Sequence, residues 1–223
     1  MGAALDLVRV LWEPGAVFGR VAEKPRFWQP FLLVVVIAIV FATLQLPYTK
    51  AALAAQFAQN PGMTPEMQQR AMSLAPIGLA FVPILFAIIL LLNALLLWVV
   101  VSVVGGEGKF STLLSVSTYS SIAFILLSAV GVIVLMTKGT GAISSMDDLQ
   151  PALGLDLLAP GAKGFMLALL RGINPFALYG VFLTATGVAV THKLSKGTAY
   201  TAAIIQFAVV LLVTGGLAGL RRG

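Results

Sequence analysis

The 223-residue chain contains no cysteine, one histidine and eight carboxylates. Disulfides, thiolate catalysis and cysteine metal sites are therefore excluded. The single His192 has no second histidine with which to build a metal centre, so no metal and no cofactor is expected. Charge is scarce as well. Only 10% of residues are charged while 59% are apolar, against about 25% charged in a soluble domain. With a mean hydropathy of +1.01, a water-soluble protein is excluded and a polytopic membrane protein follows. The net charge of +6 comes from 14 Lys and Arg against 8 Asp and Glu. These basic residues sit at the ends of apolar runs, which points to anionic lipid headgroups rather than to nucleic acid. The opening Met1-Gly2-Ala3-Ala4-Leu5-Asp6 reads neither as a cleavable signal peptide nor as a myristoylation site.

Five runs have the composition to cross about 30 Å of hydrocarbon. They lie near 31–46, 77–104, 113–136, 176–191 and 199–220. Trp28 and Tyr48 flank the first as interface anchors, and Arg221 and Arg222 stop the fifth. The fourth is short. Apolar Gly164 to Leu170 precedes it, and Arg171-Gly172-Ile173-Asn174-Pro175 interrupts the pattern. Because proline disfavours helix at the residue before it, a separate short helix followed by a span opening at Pro175 is expected. One long helix kinked at Pro175 is the alternative.

Outside the spans, Leu5, Val8 and Trp12 recur at helical spacing before Pro14, and Val17, Phe18, Val21 and Ala22 oppose Arg20, Glu23 and Lys24 after it. Residues 1–26 are read as an amphipathic segment lying in the membrane interface, with packing against the helix bundle as the equal alternative; 27–223 form the bundle. Thr64-Pro65-Glu66 reads as a helix start, with Glu66 and Arg70 an i,i+4 pair. Lys138 to Leu158 reads as a polar loop. Seven basic residues fall on each side of the membrane; Arg20, Lys24 and Arg26 precede the first span, so the N-terminus is placed in the cytoplasm.

Intramembrane charge marks ion and proton paths, and none of the five runs contains Asp, Glu, Lys, Arg or His in its interior. The hydrocarbon is accordingly expected to hold no ionised group, so that polar atoms knit helices rather than move a substrate; Arg171 or Asp156 projecting into a wet vestibule at mid-bilayer depth would overturn this. The polar residues inside spans are Gln45, Asn93, Ser117, Ser121, Ser128, Thr184 and Gln206. Asn93, surrounded by leucines, suits an interhelical hydrogen bond better than a ligand contact. Small residues form stripes at Gly180, Thr184, Gly187 and Thr191, at Ser117, Ser121 and Ser128, and at Gly215 and Gly219 as a GxxxG. Close helix packing through such residues replaces the missing hydrophobic drive in lipid. Packing within the chain is expected of the GxxxG, homodimerisation being the other use. Gly105-Gly106-Glu107-Gly108-Lys109-Phe110 fails the phosphate-loop pattern, with Val103 and Phe110 in place of Gly and Ser/Thr; a sharp hairpin using φ > 0 explains it. No catalytic motif appears, so an enzyme is not expected.

Three landmarks together resemble the Yip-domain (Ypt/Rab-interacting protein) membrane family. They are Leu11-Trp12-Glu13-Pro14-Gly15-Ala16-Val17-Phe18 with Glu23-Lys24-Pro25, the Gly105–Phe110 hairpin running into Ser117-Thr118-Tyr119-Ser120, and Asn174-Pro175-Phe176 with Leu194-Ser195-Lys196-Gly197-Thr198-Ala199. The resemblance covers nearly the whole chain and implies an all-α, five-span helical bundle with a cytosolic N-terminus. Eukaryotic relatives are linked to Rab-type GTPases. This sequence lacks their long N-terminal region, so GTPase binding is not expected. It resembles the short prokaryotic members, which implies a plasma (inner) membrane. The function expected is non-catalytic, organising or binding lipid or protein in the membrane. A small-solute permease or channel built on the broken element at Asn174-Pro175 is the alternative.

Overall fold

A computed structural model describes residues 2–60 and 62–220. Among them every regular element is helical, and five helical stretches are long and apolar enough to cross a membrane. The protein is an all-α polytopic membrane protein. Two short helices come first, α1 (Ala3–Arg9) and α2 (Pro14–Glu23), followed by the long α3 (Trp28–Ala58). Next are α4 (Pro65–Leu74), α5 (Gly78–Val103), α6 (Phe110–Ser120) and α7 (Ile122–Lys138). The last three are α8 (Gly164–Gly172), α9 (Pro175–His192) and α10 (Lys196–Leu220).

Sequence punctuation sets many of these boundaries. The Thr64 hydroxyl caps α4 by accepting from the Met67 N–H at 3.3 Å, with Pro65 in the first turn. Asn174 caps α9 in the same way, its Oδ1 accepting from the Ala177 N–H at 2.9 Å ahead of Pro175. Residues 164–192 are thus two helices rather than one kinked helix. Gly105 adopts φ +88°, and the Gly106 N–H returns to the Val101 carbonyl at 2.8 Å, ending α5 in a tight hairpin. The Glu66 and Arg70 side chains form no ion pair among the described residues; both are exposed, where such a pair contributes little.

Two boundaries depart from the sequence reading. α3 continues past Leu46 through Pro47 to Ala58. A backbone in lipid has no water to satisfy it, so the helix tolerates the one missing donor rather than expose a whole turn. The third apolar run is two helices meeting at Ser121, whose N–H and hydroxyl turn back to the Ser117 and Thr118 carbonyls at 3.0 and 2.7 Å. The stretch after Lys138 is likewise more ordered than a polar loop, with 3₁₀ turns at Thr140–Ala142, Met146–Leu149 and Leu155–Leu158.

The chain forms two compact units. One comprises Met1–Val34, Ala87–Phe124 and Ala152–Gly223; the other comprises Val35–Phe86 and Ile125–Pro151. In the first unit α9 packs against α2, α6 and α10, and α8 packs against α10. Phe27 and Phe31 close over Leu90, Ala94 and Leu114. In the second, Tyr48, Ala52, Leu135 and Ile143 form a core beside Ala51 and Leu149. The Asp148 carboxylate accepts from the backbone and hydroxyls of Ser144 and Ser145 at 2.8–3.1 Å. Burial acts to raise its pKa, but these hydrogen bonds prevail and hold it below the ordinary carboxylate value.

Candidate functional site

The residues singled out in the sequence lie mostly in the first unit, where glycine notches accept large side chains from neighbouring helices. A Cβ on Gly187 would fall 2.6 Å from Val116 of α6 and 3.1 Å from the Phe18 ring of α2. Phe18 is fully buried there and meets Tyr119 edge-on at 6.4 Å. Gly180 lies against Ala123. The Gly215–Gly219 pair is covered by α8: a Cβ on Gly215 would meet Phe165 and Leu169 at 3.1 Å, and one on Gly219 would meet Phe165 at 3.5 Å. The GxxxG therefore seats a helix of its own chain.

Polar groups knit the same unit. The buried Gln206 on α10 donates through Nε2 to the Asn93 carbonyl of α5 at 3.1 Å, while Asn93 Nδ2 returns to the Ile89 carbonyl at 2.9 Å. The interhelical tie therefore reaches the Asn93 backbone and is made by the Gln206 side chain, while the Asn93 amide turns back to its own helix. Thr191 donates to the Gly187 carbonyl at 2.7 Å and contacts His192 Nδ1 at 2.7 Å. Ser117 and Ser120 differ from these. Their Oγ atoms are buried with no hydrogen-bond partner among the described residues, although α6 surrounds them with Thr112, Ser115 and Thr118, all buried too. Thr184 is half-buried on the α9 face that carries Gly180 and Gly187.

The hairpin residues Gly105 and Gly106 share one end of the unit with the turn after α9. Gly106 approaches Leu194 at 3.2 Å and Gly108 approaches His192 Nε2 at 3.1 Å, as measured from a Cβ built on each glycine. Trp98 Nε1 donates to the Gly108 carbonyl at 3.1 Å. Phe110 opens α6 and is partly exposed. At the N-terminus, α2 buries Val17, Phe18 and Val21, α1 buries Leu7 and Val10, and the Tyr179 hydroxyl of α9 donates to the Leu11 carbonyl. The Arg20–Asp6 ion pair at 2.6 Å joins the two helices. Its hydrogen bond raises the Arg20 pKa above the ordinary guanidinium value, against a smaller opposing effect of burial. Leu5 and Val8 of α1, and Trp12 in the turn after it, remain exposed.

The sequence reading placed Asn174 and Pro175 at the α8–α9 break and named Asp156 and Arg171, but did not pair them. Asp156 is 4% exposed, and its carboxylate accepts from Arg171 Nε at 3.1 Å and from the Gly154 N–H at 3.0 Å. Asn174, also buried, donates through Nδ2 to the Arg171 carbonyl at 2.9 Å. The available signal was a lone acid inside the apolar Leu155-Asp156-Leu157-Leu158, facing an arginine at the end of another apolar run. Among the described residues no group of three or more His, Asp or Glu could hold a metal ion.

Comparison with known proteins decides the family. The Yip1 domain model matches residues 8–217. The chain belongs to the Yip1 domain family. It is 27% identical over 210 residues to "Membrane protein YknW" of Bacillus subtilis (strain 168), covering 93% of this chain and 87% of that protein. No solved structure matches. This Yip1 family chain thus has a bacterial membrane-protein relative of nearly its own length, and the family is not a known enzyme family.

Proposed function

We propose that this Yip1 family protein is non-catalytic and organises or binds other membrane components, lipid or protein, through α1 and the Gly105–Phe110 hairpin. The observation that carries this reading is the division of labour in the first unit. The glycine notches are filled by side chains of the same chain, Phe18 and Val116 on Gly187 and Phe165 on Gly215. By contrast Leu5 and Val8 of α1 and Trp12 in the turn after it are left exposed, an apolar patch suited to the membrane interface. Residues 1–26 act as the membrane-surface segment, 27–223 as the spanning part, and the N-terminus faces the cytoplasm of a cell whose plasma membrane holds the protein. No cofactor, metal or nucleic acid takes part, and a homodimer would have to use a face other than the filled Gly215–Gly219 notch. Photocrosslinkers at Leu5, Val8 and Trp12 test the reading. Capture of lipid or of a defined protein partner is expected, and capture of neither sinks it.

The buried, unpartnered hydroxyls of Ser117 and Ser120 favour one other reading, a small-solute path through α6 and α9 alongside Thr184. Solute flux in liposomes, abolished by Thr184→Val or Asn93→Leu, would support it.

A further inference from the structure

We infer that residues 152–174 re-enter the membrane, so that Asp156 and Arg171 form an intramembrane ion pair that clasps the re-entrant segment to α8. The depth follows from the register of α8 on α10. Phe165 lies against Gly219 and Gly215, Leu169 against Gly215, and Gly172 against Leu211, so the two helices run antiparallel. From Leu211 to the end of α10 at Leu220 is about 13 Å, and back to Lys196 about 22 Å, at 1.5 Å per residue. A hydrocarbon layer of about 30 Å centred on α10 places the Leu211 level within about 5 Å of its midplane. Arg171 and Gly172 share that level. Asp156 shares it too, bound to Arg171, while Leu155 donates its N–H to the Ile173 carbonyl at 3.1 Å.

Two independent features suit this position. Non-helical backbone is tolerated at membrane depth only where protein satisfies it. Here the protein itself binds the break: the Ile173 carbonyl takes the Leu155 N–H, the Arg171 carbonyl takes Asn174 Nδ2, and Asp156 takes the Gly154 N–H. Gly154 fits so closely that a Cβ would stand 2.7 Å from the Ile173 carbonyl oxygen. Secondly, the outward side of the segment is apolar. Leu157 is 64% exposed and Leu158 81%, and Phe165 and Met166 of α8 are exposed beside them. Such a surface is unfavourable in water and matched by lipid tails. The charge of Asp156 is neutralised by the arginine, as intramembrane carboxylates are.

The absence of cysteine allows a direct test with single-cysteine variants in native membranes and a charged, membrane-impermeant maleimide. Gly161→Cys, at the exposed apex, labels rapidly. Leu157→Cys and Leu158→Cys, equally open on the protein surface, label roughly a hundredfold more slowly because the charged reagent is excluded from hydrocarbon. Full labelling after denaturation confirms that the thiols are intact. Equal rates at 157, 158 and 161 in the folded protein overturn re-entry. The clasp is tested by adding Asp156→Asn to Leu157→Cys, which raises the labelling rate toward that of Gly161→Cys. The charge-swapped pair Asp156→Arg with Arg171→Asp restores protection. An unchanged rate in Asp156→Asn overturns the clasp while leaving re-entry standing. Thermal melting of each variant in detergent separates local release from loss of the whole fold.

Discussion

α2 and α8 are short helices that solve the same packing problem in different ways. Each lays a phenylalanine on a glycine notch of a longer helix, Phe18 on Gly187 of α9 and Phe165 on Gly215 of α10, and each is accompanied by one Asp–Arg pair. In α2 the burial belongs to the aromatic ring, with Phe18 fully covered, while Arg20 of the ion pair keeps 40% of its side chain exposed. In α8 the order is reversed. Phe165 is 41% exposed, whereas the Asp156 side chain is 2% exposed. The first helix is held by packing and the second by charge. A pair with its arginine open to solvent contributes less, whereas a pair covered on both sides costs more when only one member is removed.

The largest expected effect is therefore at Asp156. Asp156→Ala leaves the partly buried Arg171 without its counter-ion and destabilises the protein by about 3–5 kcal/mol, read as a fall in melting temperature in detergent. Phe18→Ala follows at about 3 kcal/mol for the cavity left by a buried ring, and the half-covered, lipid-facing Phe165→Ala costs less, since its contribution is packing alone. Equal losses at the two phenylalanines would break the comparison. Asp148 sharpens it as a carboxylate held by Ser144 and Ser145 rather than by an arginine. Its pKa is depressed, so its contribution is complete above the ordinary carboxylate range and is lost as pH falls through the lower folded value. Hydrogen exchange of residues 143–150 should accelerate below about pH 4, and Asp148→Asn should remove that pH dependence at a cost of about 1 kcal/mol. The smallest effect is at Asp6→Ala, about 0.2–1 kcal/mol. A larger loss there would show that the N-terminal pair also depends on charge.

Local chemistry made much of this legible in the sequence. The five apolar runs, the Thr64 and Asn174 caps and the glycine hairpin at Gly105 are decided within a few residues, because span length, capping and φ > 0 are local requirements. A lone amide among leucines has to find a partner, but the Asn93 side chain finds it in the Ile89 carbonyl of its own helix, and the tie between helices comes from Gln206 instead. The end of α3 was not legible, because the helix runs on past Leu46 through Pro47 to Ala58, a proline being better tolerated where the rest of the backbone has no water to turn to.

The sequence alone determined that the chain is all-helical and membrane-embedded, since apolar runs of that length have no other stable home than a bilayer and no other way to satisfy their backbone. Only the tertiary structure decided which notch each phenylalanine fills and that Asp156, 15 residues from Arg171, meets it beneath α8. Those pairings depend on the register between helices, and register is set by the sum of side-chain shapes across a seam, which no local stretch of sequence contains.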